Sequence, residues 1–199
     1  MEYLYKKGTS NKVLLLFHGT GGTKEDLLPI AAHLDSKAHI IALEGDVDEG
    51  GMKRFFKRKA PGVFDVDDLD QRSDKLLLFL DELANKHQLN RDEFIAIGYS
   101  NGANIILSTL YKSQNPFKAM FLHHPMLPYQ DRKMNIQQNL KVFVGAGKND
   151  PICLADMTEQ IIDEILLTKA DVESFWHHQY HQITNEEIDA AKLFYESKL

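Results

Sequence analysis

The chain has 199 residues and a mass of 22.8 kDa, with 43% hydrophobic and 26% charged residues. This length suits one domain with a full core, and the composition excludes disordered and collagen-like chains. A net charge of −6 disfavours a nucleic-acid partner, because an acidic surface repels phosphates. The single cysteine, Cys153, excludes an internal disulfide, and no apolar run approaches the ~20 residues of a membrane span. We expect a single cytoplasmic domain over residues 1–199, with no membrane partner.

Short apolar runs of strand character alternate with longer segments of helical periodicity. This alternation predicts an α/β domain with a mostly parallel sheet flanked by helices. The predicted strands cover residues 3–6, 12–17, 39–43, 94–97, 118–122, 141–144 and 172–176. The predicted helices cover residues 24–34, 73–87, 101–111, 155–167 and 185–198. Segment 44–70 fits neither period, and a loop of that length in a compact domain is often functional.

A glycine-rich turn, HGTGG at residues 18–22, follows the second predicted strand. Open α/β sheets bind ligands at the carboxyl ends of their strands, and backbone N–H groups there stabilise a developing negative oxygen. The turn lacks the spacing of a phosphate-binding loop. We expect the N–H of Thr20 to be such a donor and His18 to be structural. The alternative is an ordinary strand-to-helix turn.

Segment 44–70 interleaves apolar side chains with the densest basic cluster of the chain. We predict that Met52, Phe55 and Phe56 form a pocket wall, with Phe64 in the same apolar set. Arg54 is a further candidate for substrate binding, since it or Arg58 would attract an anionic or phenolic group. The alternative is that the aromatic side chains pack onto the core and the charges are solvated.

A second glycine-framed turn, GYSNG at residues 98–102, joins a predicted strand to a predicted helix. This pattern is typical of a nucleophile elbow, in which small residues on both sides of a strained serine avoid collisions with the strand and helix. Ser100 is therefore the candidate nucleophile, and the N–H of Asn101 is the second candidate oxyanion donor. The alternative is a tight turn whose serine only caps the helix.

A serine nucleophile needs a histidine as base and a carboxylate that orients this histidine, and in α/β enzymes of this kind the acid and then the base follow the serine in the chain. Asp150 lies on a turn directly after the strand predicted over residues 141–144 and is the favoured acid. Asp131 and Asp156 are the alternatives.

His181 is the favoured base, because it lies in a loop ahead of the last predicted helix. His178 is the reserve, although it extends the strand predicted over residues 172–176. Thr184 and Glu187, which follow His181, have the spacing of a capping box.

Four motifs together resemble the phospholipase/carboxylesterase family of α/β-hydrolases, and in particular its small bacterial esterases. They are HGTGG at 18–22, GYSNG at 98–102, GKND at 147–150 and HQIT at 181–184. The likeness covers nearly the whole chain, including residues 52–56, 62–65 and 122–126, and Met126 in the last block is a further candidate for substrate contact. One departure is Tyr180, where the family usually has glycine. Dienelactone hydrolases, which are relatives in fold, carry cysteine at the elbow, where this chain has Ser100.

The resemblance implies an α/β-hydrolase fold without a large cap domain. It also implies a serine carboxylesterase that cleaves a small or medium ester with Ser100, Asp150 and His181, and that needs no metal or cofactor. The expected partner is a small-molecule ester, and a homodimer is compatible with the sequence. A thioesterase and a non-catalytic ligand-binding or sensing protein on the same fold are the alternatives.

Overall fold

The computed structural model describes residues 1–199. Its strands are β1 (Glu2–Lys6), β2 (Val13–Phe17), β3 (His39–Glu44), β4 (Val47–Glu49), β5 (Met52–Arg54), β6 (Arg58–Ala60), β7 (Val63–Phe64), β8 (Phe94–Tyr99), β9 (Ala119–His123), β10 (Lys141–Gly147) and β11 (Asp171–His177). Its helices are α1 (Leu28–Leu34), α2 (Val66–His87), α3 (Asn101–Ser108), α4 (Ala155–Leu167) and α5 (Asn185–Lys198).

Seven strands form the central sheet in the order β1-β3-β2-β8-β9-β10-β11. β1 runs antiparallel to β3 at one edge, and every other pair of neighbours is parallel. The predicted mostly parallel sheet is confirmed, and no cap domain covers it. No helix combines the length and the apolar character that a membrane crossing requires.

The inner strands are apolar on both faces because helices cover the sheet on both sides. In β2, Val13, Leu15 and Phe17 belong to a core shared with α2, α3 and α4, whereas Leu14 and Leu16 belong to a core shared with α1 and α5. This alternation follows from the two-residue period of a strand. The unbroken apolar run of β2 therefore reflects two cores and not one.

The predicted bounds of α4 and α5 agree with the structure, but those of two earlier helices do not. α1 begins at Leu28, four residues later than predicted, and α2 begins at Val66, seven residues earlier than predicted. The side chain of Asp65 accepts a hydrogen bond from the N–H of Asp68, and acidic residues occupy the first turn of α2. This capping extends the helix into a stretch whose apolar period is weak.

Segment 44–65 contains two small hairpins, β4–β5 and β6–β7, instead of an irregular loop. Strands of two or three residues are too short to show a period in the sequence. Phe55 and Phe56 lie between the hairpins with no exposed surface and pack into the core that faces α2 and α3. The prediction that they wall a substrate pocket is therefore wrong, because the core takes up both rings completely.

The order of the strands determines where a site forms. The chain leaves β2 for β3 on one side through α1, and returns through α2 to β8 on the other side of β2. Such a switch point opens a crevice at the carboxyl ends of the two central strands. Phe17 at the end of β2 pairs with Gly98 near the end of β8, so the two glycine-rich turns lie side by side.

Candidate active site

Ser100 lies on a sharp turn between β8 and α3 with a φ of 51° and a ψ of −112°. A positive φ is strained for a serine, and two glycines make the turn sterically feasible. A Cβ on Gly98 would lie 2.5 Å from Ile106 Cδ1, and a Cβ on Gly102 would lie 2.0 Å from the carbonyl oxygen of Phe17. Glycine at both positions therefore allows the strand and the helix to pack closely on either side of Ser100.

Ser100, His181 and Asp150 form one hydrogen-bonded series. Ser100 Oγ lies 2.9 Å from His181 Nε2, and His181 Nδ1 lies 2.7 Å from Asp150 Oδ2. The hydroxyl of Tyr99 donates to the carbonyl of His181 at 2.9 Å and so holds the loop between β11 and α5. Tyr180, which stands where the resembled family has glycine, is 65% exposed and leaves this arrangement intact.

The Asp150 carboxylate is buried and fully hydrogen-bonded. Its Oδ1 accepts from the N–H groups of Ile152 at 2.8 Å and Cys153 at 2.9 Å, and its Oδ2 accepts from His181 and also from His124 Nδ1 at 2.7 Å. Burial alone would raise the pKa of Asp150, but these donors hold its pKa below the usual value. The sequence alternatives Asp131 and Asp156 are both exposed, and neither is hydrogen-bonded to a histidine.

The two predicted oxyanion donors, Thr20 and Asn101, line the cleft beside Ser100. Asn101 is the first residue of α3, so its N–H has no partner within the helix. The N–H of Thr20 donates to no acceptor within the chain. His18 supports this turn, as expected: its Nδ1 lies 2.6 Å from the carbonyl of Gly19, and its Nε2 accepts from the N–H of Gly45 at 3.0 Å.

Strand β5 and Phe55 directly after it tie both donor residues in place, a link that the sequence did not reveal. Arg54 Nη1 donates to Thr20 Oγ1 at 2.6 Å, and the N–H of Phe55 donates to Asn101 Oδ1 at 2.7 Å. The N–H of Gly21 donates to the carbonyl of Lys53 at 2.9 Å. Phe55 therefore acts at this site through its backbone, while its ring belongs to the core.

A cleft of about 200 Å³ opens over Ser100. It is lined by Thr20, Arg54, Arg58, Gly62, Phe64, Tyr99, Ser100, Asn101, Asn104, Met126, Ile152 and His181. Of the residues predicted to contact substrate, Arg54 and Met126 line this cleft, and Met52, Phe55 and Phe56 do not. Met52 is 40% exposed and lies beside Gly21, outside the set of residues that line the cleft. Contact of Met52 with substrate therefore stays a prediction.

Two arginines at the cleft share one carboxylate. Arg54 Nε lies 3.3 Å from Glu49 Oε2, and Arg58 Nη2 lies 2.9 Å from Glu49 Oε1. Burial, together with the nearby charge of Arg58, lowers the pKa of Arg54 from its ordinary value, which still leaves the guanidinium protonated at neutral pH. This part of the cleft therefore has an excess of positive charge.

Behind Asp150 lies a buried cluster that the sequence did not predict. Glu187 Oε1 lies 2.5 Å from His123 Nδ1, and Glu187 Oε2 lies 3.1 Å from His177 Nε2 and 3.5 Å from His124 Nε2. The N–H of Glu187 donates to Thr184 Oγ1 as in a capping box, but its carboxylate turns into the interior and does not return to the helix end. One signal in the sequence could have revealed this cluster. Glu187 lies four residues before the buried Ala191 and is therefore on the apolar face of α5.

The surroundings shift the pKa values of two histidines in opposite directions. Burial lowers the pKa of His181, and the hydrogen bond to Asp150 offsets this only in part. Burial also disfavours the charged form of His124, but the carboxylates of Glu187 and Asp150 outweigh it and raise the pKa of His124. The base candidate is therefore neutral near pH 7, and its neighbour favours the charged form.

Two sets of side chains bring possible metal-binding atoms within 4.8 Å of one another, namely His124 with Asp150 and His181, and His124 with His177 and Glu187. Hydrogen bonds and ion pairs among these groups account for their proximity, so we assign no metal to them. The only thiol, Cys153, is buried with a pKa raised by burial, and its Sγ donates to the carbonyl of His124 at 3.1 Å. Cys153 is therefore not a nucleophile.

The site can be set beside proteins of similar sequence. Residues 3–195 match the dienelactone hydrolase family. The chain is 43% identical over its full length, and over the full length of the relative, to "Putative hydrolase MhqD" of Bacillus subtilis strain 168.

Solved structures give the same result. The crystal structure of the Bacillus cereus carboxylesterase matches with a TM-score of 0.98 and 41% identity, over 100% of this chain and 95% of that chain. The structure of YahD with malic acid matches with a TM-score of 0.93 and 29% identity, over 100% of this chain and 99% of that chain. The chain therefore belongs to the dienelactone hydrolase family and is a hydrolase of the α/β-hydrolase fold.

Proposed function

We propose that the protein is a serine carboxylesterase that hydrolyses a small or medium carboxylic ester through an acyl-enzyme. The observation that carries this proposal is the hydrogen-bonded series from Ser100 through His181 to Asp150, of which Ser100 and His181 line the cleft. A serine, a histidine and a carboxylate in this geometry perform nucleophilic acyl transfer in unrelated folds. The carboxylesterase of Bacillus cereus, with 41% identity, supports the same reaction class.

The first half of the reaction forms the acyl-enzyme. His181 Nε2 takes the proton of the Ser100 hydroxyl while Oγ attacks the ester carbonyl carbon. The N–H groups of Thr20 and Asn101 stabilise the negative oxygen of the tetrahedral intermediate. The intermediate collapses when the bond to the alcohol oxygen breaks, and His181 gives its proton to the leaving alcohol. Asp150 keeps His181 in the correct tautomer and stabilises its charged form.

The second half regenerates the enzyme. Water enters the cleft, His181 removes one of its protons, and the hydroxide attacks the acyl carbon. The bond to Ser100 Oγ breaks, the acid leaves, and the proton on His181 returns to the serine. The cleft volume of about 200 Å³ lies below that of typical drug-sized sites, which favours a small ester. None of these steps calls on a cofactor or a metal.

The direct test is hydrolysis of p-nitrophenyl acetate by the wild type and by Ser100→Ala. We expect kcat to fall by ~10³-fold or more, because the nucleophile and its base act as one unit. Ser174→Ala is the matched control, since Ser174 is exposed on β11 and does not line the cleft. A fluorophosphonate probe should add one covalent mass to the wild type and none to Ser100→Ala. Hydrolysis that survives in Ser100→Ala would overturn the proposal.

The base is tested by His181→Ala against His178→Ala, which removes an exposed histidine of the same loop. We expect His181→Ala to lose as much turnover as Ser100→Ala, the double variant to be little worse, and His178→Ala to retain activity. Kinetics on matched oxygen and sulfur esters then separate an esterase from a thioesterase, and failure of the wild type to label with the probe would indicate a binding protein.

A further inference from the structure

His124 differs from the other buried histidines because both of its ring nitrogens face a carboxylate. Nδ1 lies 2.7 Å from Asp150 Oδ2, the same oxygen that accepts from His181, and Nε2 lies 3.5 Å from Glu187 Oε2. The side chains of His124, Asp150 and Glu187 have no exposed surface. An ionised carboxylate only accepts hydrogen bonds, so a neutral ring would direct a lone pair at one of the two. Nε2 makes no hydrogen bond at this distance, but the two facing carboxylates electrostatically favour a proton on each nitrogen.

The two neighbouring histidines do not share this feature. His177 donates from Nε2 to Glu187, while its Nδ1 accepts from the N–H of Gln179 at 3.1 Å, so one ring proton satisfies it. His123 Nδ1 donates to Glu187, and Nε2 of His123, like that of His124, has no hydrogen-bond partner. His123 pairs with one carboxylate, whereas His124 pairs with two. Only His124 is placed to carry a positive charge between the two acids.

The backbone at His124 is strained to achieve this placement. Its φ is 53°, a left-handed value that histidine seldom adopts, at the residue after β9. Its N–H donates to the carbonyl of Gly145 at 2.8 Å, and a Cβ on Gly145 would lie 1.7 Å from Glu187 Oε1. Glycine at 145 therefore leaves the space that the Glu187 carboxylate occupies. Strain of this kind persists where the surroundings overdetermine a conformation, often next to a functional site.

We propose that His124 is a positioning residue: as an imidazolium held between Asp150 and Glu187, it fixes the Asp150 carboxylate and sets the pH at which His181 becomes available as a base. This inference rests on the proposed serine esterase mechanism. His124 touches neither the cleft nor Ser100 and acts only through Asp150 and through its charge.

The direction of the effect follows from the charges that surround the two rings. The centre of the His124 ring lies 5.2 Å from that of His181. His181 also faces Asp150, Tyr99 and, across the cleft, the guanidinium groups of Arg54 and Arg58. The positive charge on His124 disfavours a second positive charge on His181 and so lowers the pKa of His181. Removing it leaves the Asp150 carboxylate without this neighbouring positive charge, which raises the proton affinity of His181.

The test is the pH dependence of kcat/KM for p-nitrophenyl acetate in His124→Asn. The asparagine amide retains a donor near the position of Nδ1 and cannot carry a charge. The variant therefore distinguishes the effect of the His124 charge from the effect of its hydrogen bond to Asp150. We expect the midpoint of the rising limb to move up by about one pH unit, because kcat/KM reports the free-enzyme pKa of the base. His123→Asn is the matched control, since it removes a ring that contacts the same Glu187 but not Asp150, and its midpoint should equal that of the wild type.

A second measurement does not depend on turnover. In Ser100→Ala protein labelled with ¹⁵N-histidine, the ¹⁵N resonances of His124 should show a proton on both ring nitrogens at pH 7. A neutral His124 ring, or an unchanged midpoint in His124→Asn, would overturn the proposal even if the esterase mechanism stands. Full activity of Ser100→Ala would instead overturn the esterase mechanism, and the resonances would still decide the charge of His124. The ¹⁵N resonances also decide the charge of His124 if His124→Asn does not fold.

Discussion

His181 must accept and release a proton in each half of the proposed reaction, so its proton affinity sets the working pH of the site. Burial lowers the pKa of His181, and Asp150 restores only part of the loss. A base with a lowered pKa is neutral over a wider range of pH, but it is also a weaker base, so efficient catalysis needs a pKa near the operating pH. The buried carboxylate of Asp150 assists by stabilising the imidazolium once it forms.

We therefore expect kcat/KM of the wild type to rise with pH through a midpoint below the ordinary histidine value of ~6.5. The sign follows from the mechanism: protonated His181 cannot accept the serine proton, so activity disappears as the pH falls through the pKa of His181. The measurement is a pH–rate profile from about pH 4.5 to 9 on an ester whose acylation limits the rate. A flat profile, or a midpoint well above that of free histidine, would contradict this expectation.

At the scale of elements, α5 is anchored through its first turn and not only through its apolar face. Glu187 accepts from His123 and His177 in the interior, and its pKa is held far below the usual range despite burial. The loop that carries His181 ends at Thr184, directly before this turn. The position of the helix and that of His181, the proposed base, are therefore coupled through one buried carboxylate.

Glu187→Gln should destabilise the fold by about 3 kcal/mol at pH 7, because it removes the carboxylate that accepts from His123 and His177 and faces the proposed charge on His124. The folded-state pKa of Glu187 is depressed, so the stabilisation that its carboxylate gives is complete above the unfolded pKa of ~4.3. This stabilisation is lost as the pH falls below that value. The difference from the wild type in urea-induced unfolding should therefore narrow at about pH 3. Glu186→Gln, the same change at an exposed position in the same turn, should be neutral. Equal stability of both variants at pH 7 would contradict the anchoring role.

The two hairpins of segment 44–65 have separate tasks at the cleft. The β4–β5 hairpin holds the turn at residues 18–22 through Arg54, whose side chain is only 4% exposed and donates to Thr20 and to the carbonyl of Phe56. Arg58 begins the β6–β7 hairpin, and its side chain, 24% exposed, lies at the cleft. Of the two arginines named from the sequence, Arg58 is therefore better placed to meet a substrate anion.

Arg58→Ala should reduce the preference for an ester bearing a carboxylate over a neutral ester of the same size by about fivefold, consistent with one partly screened charge contact. Lys59→Ala removes an exposed charge from the same strand and should leave the preference unchanged. Arg54→Ala should instead lower kcat on both esters, since it releases Thr20. If Arg58→Ala lowered the activity on the charged and the neutral ester by the same factor, Arg58 would not recognise the charge of the substrate.

At the scale of the whole molecule, the core facing α2 and α3 extends beneath the cleft and includes residues from the hairpin segment. Phe56 has no exposed surface, whereas Phe64, 5.0 Å away ring to ring, lines the cleft. Two aromatic side chains eight residues apart thus have different environments within one segment. The first contributes stability, and the second is available to a substrate.

Phe56→Ala should lower the free energy of unfolding by ~3–5 kcal/mol and leave the ranking of ester substrates unchanged, because the cavity it creates is in the core and Phe56 itself does not line the cleft. Phe64→Ala, the same change at a cleft position, should cost less stability and alter the ranking. Chemical denaturation and an ester panel measure the two effects. A changed ranking in Phe56→Ala without loss of stability would restore the discarded view of this residue as a pocket wall.

Local patterns in the sequence were enough to predict the α/β class, the seven strands of the main sheet and the order of the helices. They also selected Ser100, Asp150 and His181 as candidates. This works because a strand or helix shows its period within about ten residues, and because an elbow or a turn after a strand is described by adjacent residues. The catalytic roles of the three residues stay predictions, although the structure places their side chains within hydrogen-bond distance.

Only the tertiary structure decided which side chains meet across the fold. The contact between His123 and Glu187 spans 64 residues, and that between Phe55 and Asn101 spans 46. No local period encodes such contacts, because they depend on strand order and on which buried polar groups can satisfy one another. For this reason the sequence pointed correctly to a capping threonine before α5 but not to the inward carboxylate of Glu187 in the same turn.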